Sequence, residues 1–244
     1  MTPRTLLALG AAVLAFSAGA LAFDGTAGLG ADVAVAAETS HDAAPVHVTK
    51  AELRRVDSIE LDAEALVLRN GDDTVVESSM RDSGLTVSVL NRLLGTPSRT
   101  QTAEGDGGAC FPAGTTYTWG GAIRVAALTT DAAAGNAVEI RVLRNSVRSV
   151  LGRQIELTGP GGVRVGDDIA DEIADAPRSE RVSYGSDDSR AWQLLLREGW
   201  ANRHDDESSE HSGDAGTNGV SALTNETTVT VLGSPMPVHA QRSC

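Results

Sequence analysis

The sequence predicts an α+β protein made of two tandem repeats, each with a short helix packed on an antiparallel β-sheet. Three observations support this fold class. A helix-like stripe of apolar residues ends at a proline twice, at Pro97 and at Pro177. Segments with alternating apolar residues follow each proline, as in half-buried strands. The tripeptide Ile-Glu-Leu precedes each helix, at 59–61 and 155–157. We therefore place the repeats at residues 51–145 and 146–244.

The N-terminal residues predict export. Arg4 precedes an uncharged run, residues 5–22, that ends in Ala-Leu-Ala, which is the order of a secretory signal peptide. The alternative is an uncleaved membrane anchor, because the run approaches the length of about 20 residues that spans a bilayer. We expect cleavage after residues 1–22, and a location outside the cell or in its envelope. Residues 23–50 contain few large apolar side chains and predict a disordered spacer.

The charge balance excludes several classes of function. The 244 residues carry a net charge of −13, and removing the signal peptide with Arg4 makes it −14. Such a chain repels phosphate backbones and anionic lipid headgroups, so we expect no nucleic acid partner and no membrane contact beyond an uncleaved signal segment. Lys50 is the only lysine beside 19 arginines, which leaves lysine-dependent catalysis almost no candidate. Rich Ala, Gly, Asp and Arg usage with little Lys is typical of GC-rich actinobacterial genomes.

The two cysteines predict one disulfide bond. Cys110 and Cys244 are the whole complement, and an even count in an exported protein indicates pairing. The alternative is two free thiols. A nucleophilic role for Cys110 is disfavoured, because no histidine lies near it in sequence to activate a thiolate.

The first repeat begins with strands and continues with a helix. Residues 58–80 alternate in apolar character, and Asn70-Gly71 supplies a hairpin turn between two strands. In the segment 84–97, Thr86 is the expected N-cap, Gly95 the left-handed residue after the helix, and Pro97 its limit. The apolar stripe of this helix consists of Val89, Leu90, Leu93 and Leu94. Strands are then expected at 115–119, 122–128 and 137–143.

The second repeat follows the same order. Aligning Pro177 with Pro97 places Ile169, Ala170, Ile173 and Ala174 on the four apolar positions of the first helix. Asp167 or Asp168 is the expected cap. Strands are expected at 191–196, 219–223 and 227–232, and the glycine-rich stretch 158–166 indicates a turn.

These segments resemble the repeat of the β-lactamase-inhibitor-protein family and the related outer-membrane lipoprotein assembly factors. The carriers are "LTVSVLNRLLGTP", "TYTWGGAIRVAAL" and "NAVEIRVL" in one half, and "VGDDIADEIADAP", "AWQLLLREG" and "NGVSAL" in the other. The similarity covers residues 59–244. It implies tandem α+β repeats and non-catalytic protein binding. The single cysteine pair differs from the inhibitor family, which tends to have a disulfide bond in each repeat.

The aromatic residues are the candidate binding residues. Tyr117 and Trp119 lie two apart in an expected strand and so share one face. Trp119 and Trp192 would occupy equivalent places in the two repeats, and Trp200 lies beside a polar loop. Such side chains dominate protein interfaces. The alternative is that they pack beneath the helices, because the chain has few other aromatic residues to fill its core.

No residue set predicts a catalytic or metal site. The chain lacks Gly-x-Ser-x-Gly, His-Glu-x-x-His and Ser-x-x-Lys, and no cofactor motif occurs. The loop 202–218 has five acidic residues, but their spacing is not that of a calcium-binding loop. We interpret it as a solvated loop, and His204, Asp206 and Ser208 in it have no scaffold to form a triad.

The expected function is that of a non-catalytic module that binds an unknown extracellular or envelope protein as a monomer. The resemblance implies that this binding is inhibitor-like. Two alternatives stay open. One is an extracellular hydrolase using carboxylates, because acids outnumber every other reactive residue type. The other is a structural envelope protein without a tight ligand.

Overall fold

The structure is a computed structural model that describes residues 48–105, 113–132, 135–186, 190–199 and 219–238. Both cysteines, Trp200, the loop 202–218, the predicted signal peptide and most of the predicted spacer 23–50 lie outside the described residues. All the described residues belong to one compact unit, Pro45–Cys244. Within them, no helix is both long enough and apolar enough to cross a membrane.

Sheets dominate the described part of the chain. Its helices are α1 (Lys50–Leu53), α2 (Ser83–Leu94) and α3 (Ala170–Asp175), and Pro160–Gly162 forms a 3-10 turn. Its strands are β1 (Ser58–Leu61), β2 (Ala65–Asn70), β3 (Asp73–Ser79), β4 (Arg99–Ala103), β5 (Gly114–Trp119), β6 (Ile123–Leu128), β7 (Val138–Val142), β8 (Ser146–Arg148), β9 (Gln154–Thr158), β10 (Arg181–Tyr184), β11 (Ala191–Glu198), β12 (Gly219–Asn225) and β13 (Thr228–Ser234). The described fold is therefore sheet-dominated, with less helix than the α+β prediction expects.

The smaller sheet has the strand order β3-β2-β1-β9-β8. A hairpin joins β2 to β3 as predicted, but its two loop residues are Gly71 and Asp72, because Asn70 still pairs with Asp73. Gly71 has a positive φ of 59°. The two Ile-Glu-Leu segments lie side by side, because β1 pairs with β9 in parallel and Ile59 lies opposite Leu157.

The larger sheet is antiparallel throughout, with the order β10-β11-β12-β13-β7-β6-β5-β4. The strands β4–β7 follow α2 in the chain, and β10–β13 follow α3. The two runs meet where β7 pairs with β13 through three residue pairs, one of which joins Val142 to Leu232.

One hydrophobic core joins both sheets and all three helices. Directly paired residues of an antiparallel sheet share a face, so the pairing defines a continuous buried row across six strands: Trp119, Ile123, Val142, Leu232, Ala222 and Leu194. Burial of each large side chain in such a row stabilises the fold by about 1.5–3 kcal/mol. We call the face that carries this row the inner face.

Helix α2 begins differently from the prediction. Its N-cap is Asp82, whose carboxylate accepts a hydrogen bond from the Leu85 amide at 2.8 Å. The expected cap, Thr86, lies inside the helix, where it is buried and its hydroxyl contacts Ser78 at 2.8 Å. The helix therefore begins earlier than predicted, because Thr86 is not its cap and instead lies on its buried side with Val89 and Leu90. The end of the helix is confirmed: Gly95 has a φ of 88°.

The chain after β13 folds back over the outer face of the larger sheet. The carbonyl of Met236 accepts hydrogen bonds from the Ser221 hydroxyl at 2.6 Å and the Gln193 amide at 3.3 Å. These buried polar groups are therefore satisfied by the main chain of the returning segment.

Candidate functional site

Trp119 is part of the core. Its side chain is 1% exposed, and its indole N–H donates to the Gly95 carbonyl at 2.9 Å. This bond satisfies the indole and one carbonyl at the end of α2. The ring is therefore not accessible to a partner. Trp119 fills the core, which was the alternative to a role in binding.

Tyr117 lies at the edge of that core. The prediction that it shares a face with Trp119 is confirmed, since the two rings stack with centroids 6.0 Å apart. Tyr117 is half-buried and lines an open cleft of about 470 Å³ between α2 and the strands β5 and β6. The cleft wall supplied by α2 includes Asn91 and Arg92 beside the apolar Val87, so this surface is mixed, with one cationic group.

Trp192 lies near the opposite edge of the larger sheet. It is on the inner face of β11, two residues before the buried Leu194, and remains partly exposed. The guanidinium carbons of Arg181 and Arg190 lie 5.8 Å and 5.6 Å from its ring centroid. Each cation held over an indole contributes about 0.5–1 kcal/mol at an exposed site. Trp192 is therefore held between two charged groups.

The neighbouring helix fixes one of these arginines. Arg181 donates to the carbonyls of Ile173 and Ala174 in the last turn of α3. A cation at a helix C-terminus satisfies carbonyls that have no partner within the helix and is favoured by the helix dipole. The position of the Arg181 guanidinium against Trp192 is thus set by the fold.

The strand β10 carries an exposed aromatic residue next to this cluster. Tyr184 is 49% exposed, and its hydroxyl donates to the Gln193 side chain at 3.1 Å. It lies on the outer face, because it neighbours Ser183, whose cross-strand partner is Trp192. In the described residues β10 is the terminal strand of its sheet. We call β10 together with Arg190 and Trp192 the Trp192 edge.

Residue type predicts one member of this edge, Trp192. Arg181 and Tyr184 lie on β10, which the sequence pattern does not predict, and Arg190 directly precedes β11, where no sequence signal points to the ring. The alternation in "RVSY" before a turn was the available signal. Trp119 and Trp192 differ in their environments, although they are expected at equivalent places in the two repeats. Trp119 is the last residue of its strand and is buried, whereas Trp192 is the second residue of its strand and is partly exposed.

Carboxylates also line a pocket of about 350 Å³ beside β2 and the end of β11. Asp62 in this pocket accepts a hydrogen bond from Arg197 at 2.6 Å, so its carboxylate is engaged in an ion pair. The part of the chain that the structure describes contains no group of three or more His, Cys, Asp or Glu residues placed to hold a metal ion. The hydrolase alternative stays a prediction.

Comparisons of the chain with protein-family models, with curated proteins and with solved structures gave no match.

Proposed function

We propose that this chain is a non-catalytic protein-binding module that acts outside the cell or in its envelope, and that it contacts its partner through the Trp192 edge. The observation that carries the proposal is the partly exposed Trp192 between two guanidinium groups, on the strand next to an exposed tyrosine. Trp, Tyr and Arg are the residues that supply most of the binding energy at protein interfaces.

The strand β10 adds a second kind of contact. A terminal strand presents main-chain N–H and C=O groups that can pair with an extended segment of another chain. With an aromatic residue on each face, the Trp192 edge offers main-chain pairing for affinity and side-chain contacts for selectivity. This combination favours a polypeptide partner over a small molecule.

We further propose that the fold arose by duplication, in line with the resemblance to inhibitor-type repeats. The support is the shared order of elements, since a helix is followed by a four-stranded antiparallel run in both halves. The buried Ile173 of α3 corresponds to the buried Leu93 of α2 in the alignment of the two prolines.

The test is a quantitative pull-down from culture medium and envelope fractions with the immobilised chain. Trp192→Ala and Tyr184→Ala should each lower recovery of the same partner by at least tenfold, as expected for residues worth more than about 1.4 kcal/mol. Tyr117→Ala is the matched control, because it removes an aromatic ring from the cleft beside α2. Circular dichroism checks that each variant is folded.

Two results would contradict the proposal. Recovery that is unchanged in folded Trp192→Ala and Tyr184→Ala would remove the edge from the interface. Loss of recovery in Tyr117→Ala alone would place the interface at the α2 cleft instead.

A further inference from the structure

The hairpin between β8 and β9 exposes two adjacent aliphatic side chains. Val150 is 56% and Leu151 is 47% exposed. The hairpin is held against the end of α2, because the Val150 amide donates to the Leu93 carbonyl at 3.0 Å. The pair is thus displayed at a fixed position, on the outside of a turn.

Arginines from three segments belong to the same part of the molecule as this pair. Arg153 of the hairpin donates to the main chain of Arg54, just after α1. Arg92 of α2 donates to the carbonyl of Val48, just before α1. These contacts join α1, α2 and the hairpin into one surface, which we call the basic end. Its exposed arginines are Arg54, Arg55, Arg92, Arg148 and Arg153.

The charge of the basic end is opposite to that of the whole protein. Residues 48–57, 82–100 and 144–156 together contain eight Lys and Arg residues and four carboxylates, those of Glu52, Asp57, Asp82 and Glu156, in a chain of net charge −13. Hydrogen bonds from the Thr49 amide and hydroxyl lower the pKa of Glu52, and Arg55 and Arg92 lower it further. The Glu52 carboxylate is therefore held within the helix cap, and the basic residues of these segments outnumber their carboxylates.

The net charge of the protein does not decide what this surface attracts. Exposed charges are screened over about 8–10 Å at physiological ionic strength, so a ligand at the basic end responds mainly to the local arginines. The expectation that the acidic chain avoids membrane surfaces holds for its overall field and not for this end.

We propose that the basic end docks on the surface of an anionic phospholipid bilayer. The arginines match the headgroup phosphates, and Val150 and Leu151 enter the boundary between headgroups and acyl chains. A fluid bilayer accommodates a convex apolar tip without a preformed pocket, which a folded protein partner would have to supply. This contact is separate from the Trp192 edge and leaves that edge accessible.

The expected strength follows from the individual contributions. Each arginine near an anionic surface strengthens binding about fivefold. Two half-exposed aliphatic side chains together contribute roughly a further tenfold. Binding should therefore be weak, reversible and sensitive to salt.

The test is co-sedimentation of the chain with vesicles of phosphatidylcholine, with and without phosphatidylglycerol. The chain is used after removal of residues 1–22, the predicted signal peptide, because an apolar run of that length could hold every variant on every vesicle. The expected result is binding that requires phosphatidylglycerol, that falls roughly 25-fold in Arg148→Gln/Arg153→Gln, and that falls about tenfold in Val150→Ser/Leu151→Ser. Arg124→Gln/Arg178→Gln is the charge-matched control from exposed arginines elsewhere, and it should bind like the unaltered chain.

Several outcomes would overturn the proposal. These are equal binding to vesicles without phosphatidylglycerol, unaltered binding by both basic-end variants, and an equal loss of binding in the control. Binding of poly-glutamate without binding of anionic vesicles would also overturn it, in favour of an acidic polypeptide. Circular dichroism of each variant separates loss of binding from loss of folding.

Discussion

Replacing Trp119 with alanine tests whether this ring supports the architecture or a binding surface. The indole is 1% exposed, lies in the buried row that crosses the larger sheet, and donates a hydrogen bond to Gly95 at the end of α2. The substitution thus removes the largest fully buried side chain of the described core and leaves a carbonyl without its donor.

The size of the effect follows from these two losses. Truncating a buried Trp to Ala costs about 3–5 kcal/mol, and an unpaired buried acceptor costs about 1–3 kcal/mol. The two losses overlap, so we expect a decrease of about 4–5 kcal/mol in the free energy of unfolding. That is a large part of the 5–15 kcal/mol that is typical of a domain. Trp119→Phe retains most of the apolar volume and should cost about half as much.

The assay is urea unfolding followed by far-ultraviolet circular dichroism, which does not depend on the tryptophan that is removed. Trp192→Ala is the control, because that ring is partly exposed and should cost no more than about 2 kcal/mol. A loss below about 1.5 kcal/mol for Trp119→Ala would refute the architectural role. So would a larger loss for Trp192→Ala than for Trp119→Ala.

Three further substitutions or conditions test separate parts of the structure. Gly219→Ala should lower the free energy of unfolding by about 1–3 kcal/mol, because a Cβ atom there would lie 2.2 Å from the Arg197 carbonyl oxygen. Ser234→Ala should cost about 1 kcal/mol, because its buried hydroxyl donates to the Ala63 carbonyl, in the turn between β1 and β2, at 3.0 Å. The pKa of Glu52 is lowered from 4.5 by the Thr49 amide and hydroxyl, so this cap stabilises α1 above that pH and weakens as the pH falls through the lowered pKa. An NMR titration of the Glu52 carboxyl group checks this.

Each of these predictions has a control or a contradicting result. Gly84→Ala is the control for Gly219→Ala, because a Cβ atom at Gly84 would lie an ordinary 3.5 Å from its nearest neighbour. Alanine is favoured over glycine in a helix by about 0.5–1 kcal/mol, so this control should not lower the free energy of unfolding. Equal effects of the two substitutions would show that the close approach at Gly219 is relieved without cost. Unaltered stability of Ser234→Ala would show that this bond between the sheets is dispensable. A Glu52 midpoint at or above 4.5 would mean that Thr49 does not hold the carboxylate in solution.

Periodicity predicted the regular elements well wherever apolar residues repeat along the chain. The alternation of Val138, Ile140 and Val142 is the buried face of β7, and the stripe of Val89 and Leu93 is the buried side of α2. The strands β4, β8 and β10 were missed for a physical reason. They are short or polar strands at the edges of their sheets, so burial imposes little pattern on their sequence.

The candidate site was predicted in part. Residue type alone pointed to Trp192, but its arginine neighbours depend on cross-strand register and on the position of α3. The burial of Trp119 depends likewise on a carbonyl of α2 that lies 24 residues away. The basic end was not predicted at all, because total charge conceals a local cluster formed by three segments that are distant in sequence.

The seam between β7 and β13 has a consequence for how this protein is made. The larger sheet becomes continuous only when β13 pairs with β7, and five strands lie between these two in the chain. Contacts between such distant segments are slow to form. Until β13 has paired with it, β7 presents an open edge of alternating apolar residues, so the incomplete sheet has to be kept from pairing with neighbouring chains.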